Sequence, residues 1–327
     1  MSRDHWTFRA LQLFLAASVA LGVAWGLGIT NPFWAAMPVW VVSQSWREDL
    51  VIRGVLRILG TMLGAGLGLV MLAHVHDPVA LVALYILGVG AGTFAAFWIG
   101  TTYSYGALMA AITLGVVVLP GVATAGDPWD LALGRVWCTL IGVASVTLFT
   151  FPFTPRRDEA QRLRLDHGLG RGLRHGAVAG MIAGGGLVLL LLISQFWIVA
   201  GALALTVFAS IMGSMPDPRP LIRYLPPAAA LGVVAAVAYR GLGHWLGLGD
   251  PGLYLLGVGF IGAGALLRAH PRLAPFGLDS NMCFLLTAEV GAIGHGLAQE
   301  AAGGLALVCG TLLVTAVHRR LLPAHLA

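Results

Sequence analysis

The chain has no lysine, and all nineteen of its basic residues are arginine. Without a lysine it cannot close a Walker A loop on a nucleotide's β- and γ-phosphates, and it cannot form a Schiff base with retinal or pyridoxal. Charge is scarce as well: charged residues are 10% of the 327, where a soluble domain carries roughly 25%. Cysteine is nearly absent. Cys138, Cys283 and Cys309 lie in separate apolar runs with no CxxC pair, so neither a disulfide framework nor a zinc site is expected. The short stretch His74-Val75-His76-Asp77 has metal-capable side chains but no further ligands near it. No nucleophile–base pair stands at a useful spacing. The chain therefore reads as a non-enzyme without a cofactor.

What the sequence has instead is apolar length. Hydrophobic residues make up 58% of it. Measured against the ~20 residues that cross a bilayer, the apolar runs predict helices over 9–29, 33–46, 55–74, 79–100, 103–123 and 131–152. Six more are predicted over 176–194, 196–213, 222–243, 252–268, 280–297 and 301–318. The expected fold class is all-α, a polytopic transmembrane bundle of about 12 helices. The first run is long enough to span and others follow it, so it reads as an uncleaved helix rather than a signal peptide.

The arginines test this count, because basic residues collect in cytoplasmic loops. Arg3 and Arg9 precede the first helix, Arg47, Arg53 and Arg57 follow the second, and Arg156, Arg157, Arg162 and Arg164 follow the sixth. Arg219 and Arg223, Arg268 and Arg272, and Arg319 and Arg320 fall on alternate loops in the same way. The opposite loops carry Asp77, Asp127, Asp130, Asp250 and Glu300, with Arg240 as the basic exception. Both termini are thus expected on the cytoplasmic side. The net charge of +5 reads as topological, with lipid rather than nucleic acid as the partner.

The halves resemble each other. Phe33-Trp34 is answered by Phe196-Trp197 and Arg156-Arg157 by Arg319-Arg320, both at a shift of 163 residues; Arg53 and Arg57 are answered by Arg219 and Arg223 at 166. Six helices per half is an even number, so the repeats are expected to be parallel, related by an axis along the membrane normal. The expected domains are a first half over 1–155, an arginine-rich cytoplasmic linker over 156–175, and a diverged second half over 176–327. The second span of each half is short or flanked by proline, and interrupted spans at matching positions point to a transport site. Gly60, Gly64 and Gly68, and again Gly176, Gly180 and Gly184, recur at every fourth residue. Such smooth faces let transmembrane helices pack closely.

The stretch Arg57-Ile58-Leu59-Gly60-Thr61-Met62-Leu63-Gly64, opening a third helix after a charged loop, resembles the signature of the fusaric acid resistance-type family. Tyr103, Tyr105, Thr113, Arg135 and Phe151-Pro152-Phe153 extend that resemblance through the first half. It implies a membrane exporter of aromatic acids and a similarity to plant malate channels. The second half departs from the pattern: Pro226-Pro227 stands where the first half has Gly60-Thr61.

Candidate site residues follow from the cost of an ionisable group inside a span. Arg135 either snorkels to the interface or attracts an organic carboxylate. Arg57 and Arg223, at matched helix ends, serve topology or a shared anion vestibule. Glu289, read as the acid deep in a span, suits either a proton carrier or a neutral structural acid. Tyr103, Tyr105, Thr113, Trp34 and Trp197 complete the candidate substrate-binding set, the aromatics being also apt as interface anchors. The expected function is ion-gradient-driven export of small organic anions, with aromatic carboxylic acids as the class. The alternatives are an anion channel and a non-transporting scaffold for an envelope complex. Expected partners are the anion substrate and a periplasmic adaptor protein, with the chain a monomer or homodimer.

Overall fold

Ten of the apolar runs become helices long and apolar enough to cross a bilayer among the described residues. The computed structural model describes residues 4–124, 127–157, 168–291 and 295–321. In order the helices are α1 (Asp4–Gly26), α2 (Met37–Val42), α3 (Arg47–His74), α4 (Pro78–Ile99), α5 (Ser104–Ala123) and α6 (Pro128–Thr150). The second half supplies α7 (Leu169–Ile193), α8 (Phe196–Gly213), α9 (Arg219–Trp245), α10 (Asp250–Ala269), α11 (Ala274–Ala288) and α12 (Leu297–Leu321). The protein is an all-α polytopic membrane bundle. Most of the expected linker, including Arg162 and Arg164, lies outside the described residues, and α7 begins at Leu169 rather than near 176.

Two spans differ from expectation. The run 33–46 is a 3-10 turn, Pro32–Ala35, followed by the six-residue α2. Asn31 enters it in a left-handed conformation, and Pro32 and Pro38 remove two backbone donors. Its counterpart α8 is unbroken over 18 residues, so the interruption belongs to the first half alone. The eleventh helix starts six residues earlier than expected and ends at Ala288.

Helix ends are set by local chemistry. Asp77 accepts a hydrogen bond from the Ala80 amide at 2.8 Å and caps α4, and Gly100 closes that helix in the left-handed region. Before α9, the exposed Asp217 receives hydrogen bonds from the Arg219 side chain and backbone, which hold its carboxyl below the usual carboxylate range.

The chain forms two compact units. One comprises Met1–Gly54, Gly134–Glu159 and Pro227–Ala302; the other Val55–Leu133, Ala160–Pro226 and Gly303–Ala327. Each draws on both halves of the sequence. In the first unit α1 packs on α10, α10 on α11, and α2 on both α1 and α11. In the second α7 packs on α4, α4 on α5, and α8 on both α7 and α5. With α7–α12 taken as counterparts of α1–α6, these are the same pairings. Each unit joins the first and second helices of one half to the fourth and fifth of the other.

The glycine faces make the closest of these contacts. In the second unit a Cβ added at Gly60 would lie 2.4 Å from the Gly106 carbonyl oxygen, and one at Gly64 would lie 2.3 Å from that of Ala110. Thus α3 rests backbone to backbone on α5. Gly176 and Gly180 meet α4 in the same way, 2.6 Å from the Gly90 oxygen and 2.5 Å from that of Ile86. The opposite face of α3 presents Leu59, Met62 and Leu63, each more than half exposed. An apolar stripe of this kind is stable facing lipid tails, where small residues rather than hydrophobic burial drive helix association.

Candidate functional site

Arg57 stands on α3 one turn before the glycine face. Because Gly60 and Gly64 bring α5 so near, the guanidinium is covered and only 4% exposed. Its Nη1 donates a hydrogen bond to the Tyr105 hydroxyl at 3.1 Å and also meets the Met109 sulfur. Thr113, on the same face of α5, is buried opposite Gly64, and Thr61 is buried on α3. The structure therefore gathers Arg57, Tyr105 and Thr113 on one α3–α5 seam. Tyr103 at the start of α5, Trp197 on α8 and Arg223 on α9 lie on exposed faces instead. The matched arginines have separated: Arg57 is buried and Arg223 is not.

Arg135 belongs to the other unit. It lies about two turns into α6, 5% exposed, with its guanidinium carbon 3.6 Å from the centre of the Trp34 ring. That distance is a close cation–π contact, stronger where water is excluded. The interrupted segment puts Trp34 there. A Cβ added at Gly142 on α6 would lie 2.3 Å from the Ala35 carbonyl oxygen, so α6 presses directly against the 3-10 turn.

A six-residue helix inside a membrane protein leaves its last carbonyls needing donors. Arginines supply them. Arg268 donates to the Trp40 carbonyl at 3.2 Å, Arg53 to that of Val41 at 3.3 Å, and Arg9 to that of Gln44 at 2.9 Å. Cations at a helix C-terminus also suit its dipole. The sequence marks these arginines as topological; here Arg268 and Arg53 also finish α2, and Arg9 holds the turn that follows it.

Glu289 is not deep in a span. It is the residue that ends α11, with φ at 46° in the left-handed region, and its carboxylate is 3.0 Å from His295 Nδ1. The acid buried within α11 is Asp279, 7% exposed, two residues before Asn281, whose amide donates to the Gly264 and Gly277 carbonyls. The polar run Asp279-Ser280-Asn281 inside an apolar stretch was the available signal for both.

Near the end of α11 a cavity of about 290 Å³ opens, lined by Trp25, Ile29, Tyr239, Arg240, Asp250 and Leu253 with Gly28 and Gly291. Both glycines have positive φ, 68° and 84°, which lets the backbone turn tightly there. Arg240, the apparent loop exception, lies on α9, where its Nε reaches the Glu300 carboxylate at 2.8 Å and donates to the Ala288 carbonyl at 3.1 Å. Among the described residues no group of three or more His, Cys, Asp or Glu side chains could hold a metal ion.

A bundle of helices long and apolar enough to cross a bilayer, with arginine buried against aromatic side chains, is the architecture of a polytopic membrane protein. Residues 5–177 match the fusaric acid resistance protein family, and the chain belongs to that family. It is similar to the uncharacterized transporter GOX0755 of Gluconobacter oxydans, 28% identical over 45% of this chain and 21% of the relative. Over 42% of this chain and 21% of the relative it is 27% identical to the uncharacterized transporter YdhK of Escherichia coli K12. A third relative is the p-hydroxybenzoic acid efflux pump subunit AaeB of Pantoea ananatis, 27% identical over 45% of this chain and 24% of the relative. The matches thus span about a fifth to a quarter of these relatives' length. No solved structure gives a significant match to the chain.

Proposed function

We propose that this membrane transporter exports small organic anions, aromatic carboxylates foremost, across a bacterial inner membrane with both termini in the cytoplasm. The observation that carries the reading is that each compact unit buries one arginine against an aromatic side chain, Arg57 against Tyr105 and Arg135 against Trp34. A guanidinium offers a carboxylate paired charge-assisted hydrogen bonds, and the neighbouring ring offers a face for an aromatic body. The relatives named as p-hydroxybenzoic acid efflux pump subunits support the same class of substrate. The word subunit in those names supports a protein partner, for which a periplasmic adaptor is our proposal, the chain itself being a monomer or homodimer.

Thr113 lies on the same helix as Tyr105 and Tyr103 caps its start, and Arg223 and Trp197 are exposed residues that an entering anion meets. Glu289, hydrogen-bonded to His295, is the acid we assign to coupling with a proton gradient. Everted membrane vesicles test the coupled reading. Uptake of radiolabelled 4-hydroxybenzoate into them should follow an imposed proton gradient and collapse with an uncoupler; uptake indifferent to the uncoupler would favour a passive channel.

A further inference from the structure

The cavity beside α11 borders an ion pair, Arg240–Glu300, that the export reading does not use. The lining is partly aromatic: the Trp25 ring stacks on Tyr254 at 5.4 Å with planes 8° apart, and Tyr239 joins Trp25 in the lining. The lining also carries Arg240, whose side chain is 14% exposed and whose Nε is engaged by Glu300, itself only 4% exposed. Glu300 is thus a buried carboxylate paired with Arg240. Glu289, with its partner His295, is within electrostatic reach of Glu300, and Asp250 is part of the cavity lining.

We propose that this cavity is a second binding site for an aromatic monocarboxylate, in which the ligand takes the Arg240 guanidinium and Glu300 takes up a proton. The ligand class rests on the anion-export reading, whereas the proton link rests on the pair itself. A guanidinium can meet two carboxylates, but two carboxylates on one buried cation do not both stay ionised. A buried carboxylate deprived of its counter-charge is costly, and protonation removes that cost. The step balances: solvent gives one proton to a Glu300 carboxylate oxygen, the Arg240–Glu300 ion pair opens, and the ligand carboxylate forms the replacing pair. The cavity volume of about 290 Å³ suits a single aromatic ring with a small substituent. Trp25 and Tyr239 supply apolar faces for that ring.

Among the described residues, the charged and titratable groups around the pair are Tyr239 from α9, Glu289 and His295 from the segment between α11 and α12, and Asp250 from α10. Protonated His295 also favours an anion at low pH, so the test must separate it from Glu300.

Benzoate binding to the full chain in lipid nanodiscs, by calorimetry between about pH 6 and pH 8, provides the test. Affinity should fall by up to about tenfold per pH unit where Glu300 ionises, with about one proton taken up per benzoate in weak buffer. Glu300→Gln should flatten that slope and bind at high pH as the native protein does at low pH. His295→Gln should keep most of the slope, and Arg240→Gln should abolish the proton-linked binding. Binding without proton uptake by the native protein overturns the proposal, even if Glu300→Gln fails to fold, as does an unchanged slope in Glu300→Gln. Proton-linked binding in a protein that moves no anion across liposomes would sink the export reading and leave this site standing.

Discussion

Arg57 and Tyr105 meet across a close helix contact, guanidinium to phenol oxygen at 3.1 Å, in a place where the backbones of α3 and α5 nearly touch. The pair has its geometry because glycine has no side chain. An arginine so placed carries its charge among buried groups, and its removal and the removal of its partner should differ in kind. Tyr105→Phe deletes one hydrogen bond, costing about 1 kcal/mol of stability, and should lower export a fewfold. Arg57→Gln should lower export of a carboxylate by about tenfold or more, the loss of one charge-assisted contact. Thermal melts and vesicle flux on both variants check this. Equal flux losses would mean that Arg57 serves only to hold Tyr105.

Trp34 should matter to aromatic substrates more than to aliphatic ones. Its ring lies 3.6 Å under the Arg135 guanidinium, a contact worth about 1–2 kcal/mol when shielded from water. Trp34→Leu should therefore raise the half-saturation concentration for 4-hydroxybenzoate severalfold while changing that for a small aliphatic acid less. Competition flux assays with the two acids make the comparison.

The glycine seams predict a stability pattern independent of transport. Gly64→Ala and Gly180→Ala place a methyl 2.3 Å and 2.5 Å from backbone oxygens of the facing helices. Backbone cannot yield as a side chain does, so each should destabilise the fold by about 1–3 kcal/mol. Gly66→Ala and Gly185→Ala, on the same helices with nothing within 4 Å, should be neutral or slightly stabilising. Melting curves of the four variants in one detergent decide it.

Glu289 carries two separable expectations. At φ of 46° a glycine is less strained than any L side chain, so Glu289→Gly should fold at least as well as the native chain. As the proposed coupling acid, its loss should uncouple flux from the proton gradient while leaving downhill exchange. A Glu289→Gly protein that keeps full gradient dependence would remove it from the mechanism.

The long spans were legible because charge exclusion from lipid leaves nearly continuous apolar runs, as in α4 and α7. The glycine faces were legible for a related reason: spacing alone puts Gly60, Gly64 and Gly68 on one side of a helix. The end of α11 was not legible. Val290 and Gly291 continue the apolar composition past Ala288, and the left-handed turn at Glu289 leaves no mark in composition. The exchange of helices between halves was also hidden, because α1 meeting α10 and α4 meeting α7 are long-range choices that no local pattern specifies. Burial separated Arg57 from Arg223 for a reason partly visible beforehand: Pro226-Pro227 stands where Gly60-Thr61 lets α5 approach.

The most direct test is counterflow in proteoliposomes: purified protein in vesicles preloaded with unlabelled 4-hydroxybenzoate, with radiolabelled 4-hydroxybenzoate added outside. The account predicts transient accumulation of label above that in protein-free vesicles, and its near loss with Arg57→Gln. Label entry no faster than in protein-free vesicles, for this acid and for other small organic anions, would contradict it.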